Sequence, residues 1–205
     1  MKVSGIILSG GKSSRMQMNK AFLIIDRERI IEHIISVLRQ ILREIVIVTN
    51  EPELYAGLGG KVVSDVIPQQ GPLSGVHAGL LAASHQHGFV VACDMPFVSV
   101  QLIQYLLGQT TAEDDVVVPR LGPYLQPLHA VYSKRCIPAI EECLHHDIHK
   151  LTAFYSRVRV KYIEEELIRQ LADPDEVFFN VNTPADYELA CQLVRRIENR
   201  GSHEK

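Results

Sequence analysis

Tryptophan is absent from this 205-residue chain, aromatic side chains make up only 6%, and the four cysteines, Cys93, Cys136, Cys143 and Cys191, form no Cys-x-x-Cys pair. The missing pair excludes the usual zinc and dithiol spacings, and scattered cysteines suit reduced thiols. Neither sign of charge dominates. A net charge of −3 with a pI near 6.3 argues against a nucleic-acid-binding surface over the whole protein, while leaving room for a local basic pocket. No apolar run approaches membrane-spanning length, and the N-terminal run is too short and wrongly flanked for a signal peptide. A soluble, cytoplasmic protein with no nucleic-acid or membrane partner is expected. Internal repeats, low-complexity tracts and linkers are also missing, and 46% hydrophobic residues against 22% charged suffice for one sizeable core.

What stands out is the start. Val3, Ile6, Ile7 and Leu8 form an apolar run suited to a buried strand, and it leads directly into Ser9-Gly10-Gly11-Lys12-Ser13-Ser14-Arg15-Met16, with Lys20 shortly after. Paired glycines let the backbone approach a ligand with its N–H groups turned inward, and Arg15 and Lys20 add positive charge, a combination suited to a polyanionic nucleotide. The motif is not a P-loop, because the first glycine of Gly-x-x-x-x-Gly-Lys-Ser would fall on Ile6; nor is it the dinucleotide fingerprint Gly-x-Gly-x-x-Gly. A plain strand-to-turn glycine pair with solvated basic residues is the bland alternative.

Along the chain, strand-like and helical runs alternate. Ile30, Ile31, Ile34, Ile35, Leu38 and Leu42 recur at helical spacing before the β-branched run Ile45-Val46-Ile47-Val48, which ends at Thr49-Asn50. Lys61-Val62-Val63-Ser64 leads into Asp65, a helix is expected around 79–83, and Phe89-Val90-Val91-Ala92-Cys93 reads as a buried strand ending at Asp94. Val116-Val117-Val118-Pro119 reads as a fourth parallel strand and residues 126–132 as an added one, with helices at 136–145 and 150–155. The pattern implies a single-domain, Rossmann-like three-layer α/β/α fold with a mostly parallel central sheet, spanning 1–198 and followed by a polar tail, 199–205. Ligands of such sheets bind beyond the carboxyl ends of the strands. The Gly10-Gly11 loop, Asn50, Asp65 and Asp94 all fall there.

Asp94, in Cys93-Asp94-Met95-Pro96-Phe97, is placed to hold Mg2+ on nucleotide phosphates, or else serves as a turn or capping residue; Asp65 has the same two readings. The glycines of Gly71-Pro72-Leu73-Ser74-Gly75 would admit a base or ribose, or simply form a loop into a helix beginning near Val76. Thr183 or Asn182, Pro184 and Asp186 mark a helix start. Asn180 and Asn182, spaced to face one side of a strand, remain as candidate ligands for substrate or metal. His145, His146 and His149 form a surface cluster in which the first and last would share a helical face, without a recognisable metal spacing.

Read together, the first loop with Lys20, Gly71-Pro72-Leu73-Ser74-Gly75, Asp94-Met95-Pro96-Phe97 and Asn180-Val181-Asn182-Thr183-Pro184 resemble the molybdenum cofactor guanylyltransferase family, in order and over most of the chain. The first motif alone is shared by many sugar-nucleotide pyrophosphorylases. The resemblance implies transfer of GMP from GTP to the terminal phosphate of molybdopterin or Mo-molybdopterin, with pyrophosphate released. Other molybdenum cofactor biosynthesis proteins and acceptor apo-molybdoenzymes are the implied partners. It assigns Leu8, Ser9, Gly10 and Gly11 to the nucleotide, Lys20 to its phosphates, Asp65 to the guanosine moiety, Asp94 to Mg2+, and Asn180, Asn182 and Thr183 to the pterin side. Asn50 joins the nucleotide group, and Arg15, Lys20 and Asp94 become the catalytic set. Gln17 stands where the family usually has glycine, which bears on the turn between Arg15 and Lys20 and not on their charges.

An ionised phosphate monoester needs alignment and charge neutralisation rather than a base, which fits the lack of an evident Ser-His-Asp or Cys-His arrangement. Rival readings are a cytidylyltransferase on the same pterin, a guanylyltransferase on another phosphorylated acceptor, and a non-catalytic nucleotide-sensing protein. The CTP-using relatives look more like Leu-Ala-Ala-Gly at the first loop. Gly10 therefore favours a purine, and Arg15, Lys20 and Asp94 favour catalysis over sensing.

Overall fold

The computed structural model describes residues 2–10, 19–67 and 71–203. In chain order the elements are β1 (Val3–Leu8), the short pair β2 (Ile24–Ile25) and β3 (Glu28–Arg29), α1 (Ile30–Arg39), β4 (Glu44–Val48), β5 (Lys61–Val63), α2 (Gly71–Ala82), β6 (His87–Ala92), α3 (Val100–Gln109), β7 (Val116–Leu121), β8 (Tyr124–Leu125), β9 (His129–Ser133), α4 (Ile137–His145), β10 (Val160–Glu164), α5 (Glu165–Arg169), α6 (Pro174–Val177) and α7 (Pro184–His203). The main sheet runs β10-β7-β9-β6-β1-β4-β5, with β8 added to β7. Pairing is parallel throughout β5-β4-β1-β6, and β9 alone in that series runs against its neighbours β6 and β7.

Alternation along the central strands builds two cores, because successive side chains leave a strand on opposite faces. Ile7, Phe89, Val91 and Val117 pack on one face with α1, α3 and Ala190 of α7; Ile6, Leu8, Val90, Val116 and Val118 pack on the other with α2 and α4. The result is a single three-layer α/β/α domain. α1 is held at its start by the Glu32 carboxylate, which accepts the Arg29 backbone N–H at 3.1 Å, and its apolar stripe, Ile30, Ile31, Ile34, Ile35, Val37 and Leu38, is buried.

Several elements differ from the sequence reading. Residues 71–75 begin α2 instead of forming a loop, and a Cβ on Gly75 or Gly79 would lie 3.3 Å from Leu8 or 2.4 Å from Ile6. Burial of Leu73, Val76 and Leu80 against β1 thus overrides the weak helix propensity of Gly-Pro-Leu-Ser-Gly. Residues 150–155 form turns leading into a 3-10 turn at Tyr155–Arg157 rather than a helix. Leu151, Phe154 and Tyr155 are buried at helix-like spacing, but the run is too short to sustain helical nucleation. α4 stops at His145, so the exposed His149 does not share its face and meets Asp147 at 3.3 Å. Residues 180–182 carry no regular secondary structure and join no sheet, so the strand on which Asn180 and Asn182 were to share a side is not formed. α7 continues to His203, so 199–203 extend the helix where a tail was expected, in keeping with the good helix formers that precede them. All four cysteines are free thiols.

Candidate nucleotide-transfer site

β1 lies between β4, reached through α1 on one face of the sheet, and β6, entered from α2 on the other, so the carboxyl ends of β1 and β6 mark a switch point, where sheets of this kind bind their ligands. Leu8 is in register with Val48 and Ala92, and Val48 with Val63. Ser9, Asn50, Asp65 and Asp94 therefore emerge along one edge. Three strand spacings from β5 to β6 span roughly 14 Å, room for an extended nucleotide rather than a lone phosphate. The ladder continues into the site, where Ser9 N–H donates to the Val48 carbonyl at 2.8 Å and Cys93 N–H to the Leu8 carbonyl at 2.9 Å.

Two clusters form on this edge. At the β4–β5 end, the Asn50 amide donates to an Asp65 carboxylate oxygen at 3.1 Å and accepts the Asp65 backbone N–H at 3.3 Å. At the β1–β6 end, the Lys20 ammonium donates to the Asn182 side-chain oxygen at 2.6 Å and sits 3.5 Å from Asp94 Oδ2, with Lys20 and Asp94 side chains 19% and 22% exposed. Both remain reachable by a ligand. Burial raises the Asp94 carboxyl above its ordinary value, and the Lys20 charge partly offsets this. Desolvation and the Asp94 carboxylate push the neighbouring Cys93 thiol up to about 12, so it stays protonated at neutral pH and is no nucleophile.

The segment carrying Asn180 and Asn182 is pinned against this cluster from 178 onward. Phe178 packs edge-on against the buried ring of His129, Phe179 tilts over Phe97, and Val181 N–H donates to the Asp94 carbonyl at 2.9 Å. Burial holds His129 down at about 3, so its ring is a neutral spacer. Asn180 folds its amide onto the Phe178 carbonyl at 2.9 Å. Thr183 and Asp186 close a reciprocal cap: the Asp186 carboxylate accepts the Thr183 and Asn182 backbone N–H groups at 2.7 and 3.0 Å, and the Thr183 hydroxyl accepts that of Asp186 at 3.2 Å. Asn182 is thus the member of the segment that reaches Lys20. Gly11, Arg15 and Gln17 lie outside the described residues.

Two contributors escaped the sequence reading. α2 starts at this edge beside Leu8, so its N-terminal backbone end faces the region where anions are favoured. Among the described residues, nothing lies within 4 Å of where a Gly10 Cβ would project. The other is Tyr55, whose hydroxyl meets Ser9 and Asn19; no spacing in the sequence signals a contact 46 residues apart.

Among the described residues, no group of three or more His, Cys, Asp or Glu side chains could hold a metal ion unaided. Mg2+ commonly takes one or two carboxylates and fills its octahedron with waters and substrate phosphates. Asp94, part-exposed at the carboxyl edge beside Lys20, is a carboxylate that could serve in that way. No helix of the described residues is long and apolar enough to cross a membrane.

A doubly wound sheet with a lysine, a carboxylate and a helix N-terminus gathered at its switch point defines a nucleotide-handling α/β protein. Residues 5–161 match the model of the MobA-like NTP transferase domain. The chain is 47% identical over 186 residues to the probable molybdenum cofactor guanylyltransferase of Pelotomaculum thermopropionicum, covering 91% of this chain and 90% of that one. It is 39% identical to the molybdenum cofactor guanylyltransferase of Desulfosudis oleivorans, covering 94% and 96%. Among solved structures, molybdopterin-guanine dinucleotide biosynthesis protein A from Archaeoglobus fulgidus superposes with a TM-score of 0.82 at 25% identity, over 95% of this chain and 100% of that one. The chain belongs to the molybdenum cofactor guanylyltransferase family, within the MobA-like NTP transferases, and is a nucleotidyltransferase.

Proposed function

We propose that this enzyme transfers GMP from GTP to the terminal phosphate of molybdopterin, metallated or not, giving the guanine dinucleotide and pyrophosphate. The observation that carries the reading is the Lys20 ammonium held between Asp94 and Asn182. It joins the nucleotide edge of the sheet to the segment assigned to the acceptor. A phosphate oxygen of the acceptor forms a bond to the α-phosphorus of GTP, the bond from that phosphorus to the α–β bridging oxygen breaks, and the electron pair leaves on pyrophosphate. The acceptor phosphate is ionised at neutral pH, so no residue needs to remove a proton.

Lys20, with Arg15, neutralises the triphosphate and the departing pyrophosphate. Leu8, Ser9, Gly10 and Gly11 present backbone to the nucleotide, while Asn50 and Asp65, already paired through reciprocal hydrogen bonds, receive the guanosine portion. Asn180, Asn182 and Thr183 line the pterin side. Mg2+ held by Asp94 would supply further charge neutralisation at the phosphates. When a triphosphate engages Lys20, the Asn182 oxygen is released toward the acceptor.

Incubating the protein with GTP, Mg2+ and molybdopterin, and identifying products by mass spectrometry, tests the reading. Molybdopterin guanine dinucleotide and pyrophosphate in equal amounts are expected. Asp94→Ala is expected to lose at least about a hundredfold in rate while keeping its thermal midpoint, because its carboxylate is not part of the packed core. Near-normal Mg2+-dependent turnover in that variant would move the metal to Asp65 or Asn182, and absence of the dinucleotide with the intact protein would refute the assignment.

A further inference from the structure

Tyr55 lies outside every motif above, yet its ring is fully buried and its hydroxyl is a junction. It closes a 3-10 turn, Pro52–Tyr55, that follows β4. The hydroxyl lies 2.5 Å from Ser9 Oγ, and the Asn19 amide donates to it at 3.0 Å. Ser9 and Asn19 bracket the glycine-rich basic motif in the sequence. Each is fixed by a second contact: Ser9 through its backbone bond to Val48, and Asn19 through Oδ1, which accepts the Ala21 N–H at 3.2 Å and caps the turn Lys20–Phe22. The Tyr55 ring also packs 5.0 Å from that of Phe22, at the other end of the same turn. Tyr55 therefore grips the turn that bears Lys20 at its start and at its finish, and ties it to the end of β1.

On the nucleotide reading above, we propose that Tyr55 is a positioning residue for nucleotide binding. Its hydroxyl sets Lys20 against the Ser9–Gly10 backbone so that one triphosphate meets both. Fixing both ends of the Lys20 turn against Ser9 leaves less conformational freedom in Lys20 for ligand binding to remove. A packing role alone would need only the ring.

Calorimetric titration of the full-length protein with GTP and Mg2+ separates the two. Tyr55→Phe keeps the ring, and it is expected to weaken nucleotide binding about tenfold, since displacements near 1 Å at a reacting group carry penalties of that order or larger. In a Lys20→Ala background the same change is expected to cost less than about twofold, because residues acting through one another are not additive. Asn19→Ala, removing the other partner, is expected to repeat this pattern and serves if Tyr55→Phe does not fold. An unchanged affinity in Tyr55→Phe, or an equal loss in both backgrounds, would overturn the positioning role. Failure of the intact protein to bind GTP would instead overturn the nucleotide reading, and this inference with it.

Discussion

Glu44 shows how far single residues of this chain are specialised away from the site. At the amino edge of the sheet, its carboxylate accepts from the hydroxyl of Ser4 in β1 and, at 2.7 and 2.9 Å, from the hydroxyl and backbone N–H of Ser84 before β6, with His85 3.3 Å away. Burial alone would raise its titration, but these hydrogen bonds outweigh it and lower the group from 4.5 to about 2. A carboxyl depressed on folding stabilises fully above its unfolded value and loses that contribution as pH falls through its folded value. The stability gap between the intact protein and Glu44→Gln, measured by urea unfolding, is therefore expected to be constant above pH ~5 and to shrink steadily toward pH 2. A gap independent of pH over that window would show that the carboxylate charge is not what ties the three segments.

The residues of the site were legible in uneven measure, for physical reasons. Asn50, Asp65 and Asp94 follow apolar runs, and that placement alone puts them at a carboxyl edge. The partner of Lys20 was not legible, because Asn182 reaches it across 162 residues of chain. Tyr55 was missed on the same ground, since a tyrosine closing a short turn carries no periodic signal.

At the level of elements, α2 is where composition misled most. Gly-Pro-Leu-Ser-Gly has the residues of a loop, but its Gly75, and Gly79 one turn further on, lack the Cβ atoms that would press on Leu8 and Ile6 of β1. The Gly79 position decides this, for an added Cβ would lie 2.4 Å from the branch methyl of Ile6, itself fully buried and stiff at χ1. Alanine gains about 1 kcal/mol over glycine in a free helix, whereas overpacking a tight core costs about 1–3 kcal/mol. Gly79→Ala is expected to lower stability by about 1 kcal/mol on balance, read as a lower urea midpoint; a raised midpoint would mean that α2 has slack against the sheet. By contrast, β1, β4 and β6 were plain in the sequence because both faces of each are covered, which demands unbroken apolar runs. The short strands β8 and β10 and the helices α5 and α6 were not, since each is defined by what it packs on rather than by its own pattern.

For the molecule as a whole, the mostly parallel sheet brings Ser9, Asn50, Asp65 and Asp94 to a single edge, and Lys20 ties the 180–182 segment to that edge through Asp94 and Asn182. Phosphates and metal are common to all nucleoside triphosphates, so on the proposed reading the choice of base comes from the groups that meet the base itself. A buried polar edge left unmatched there is costly enough to discriminate strongly. The most direct test is a competition in which GTP, CTP and ATP at equal concentration share one pool of molybdopterin and Mg2+, with the dinucleotides resolved by mass. The guanine dinucleotide is expected to dominate by at least about tenfold over each of the others; a predominance of the cytosine product would contradict the assignment despite the Gly-Gly loop.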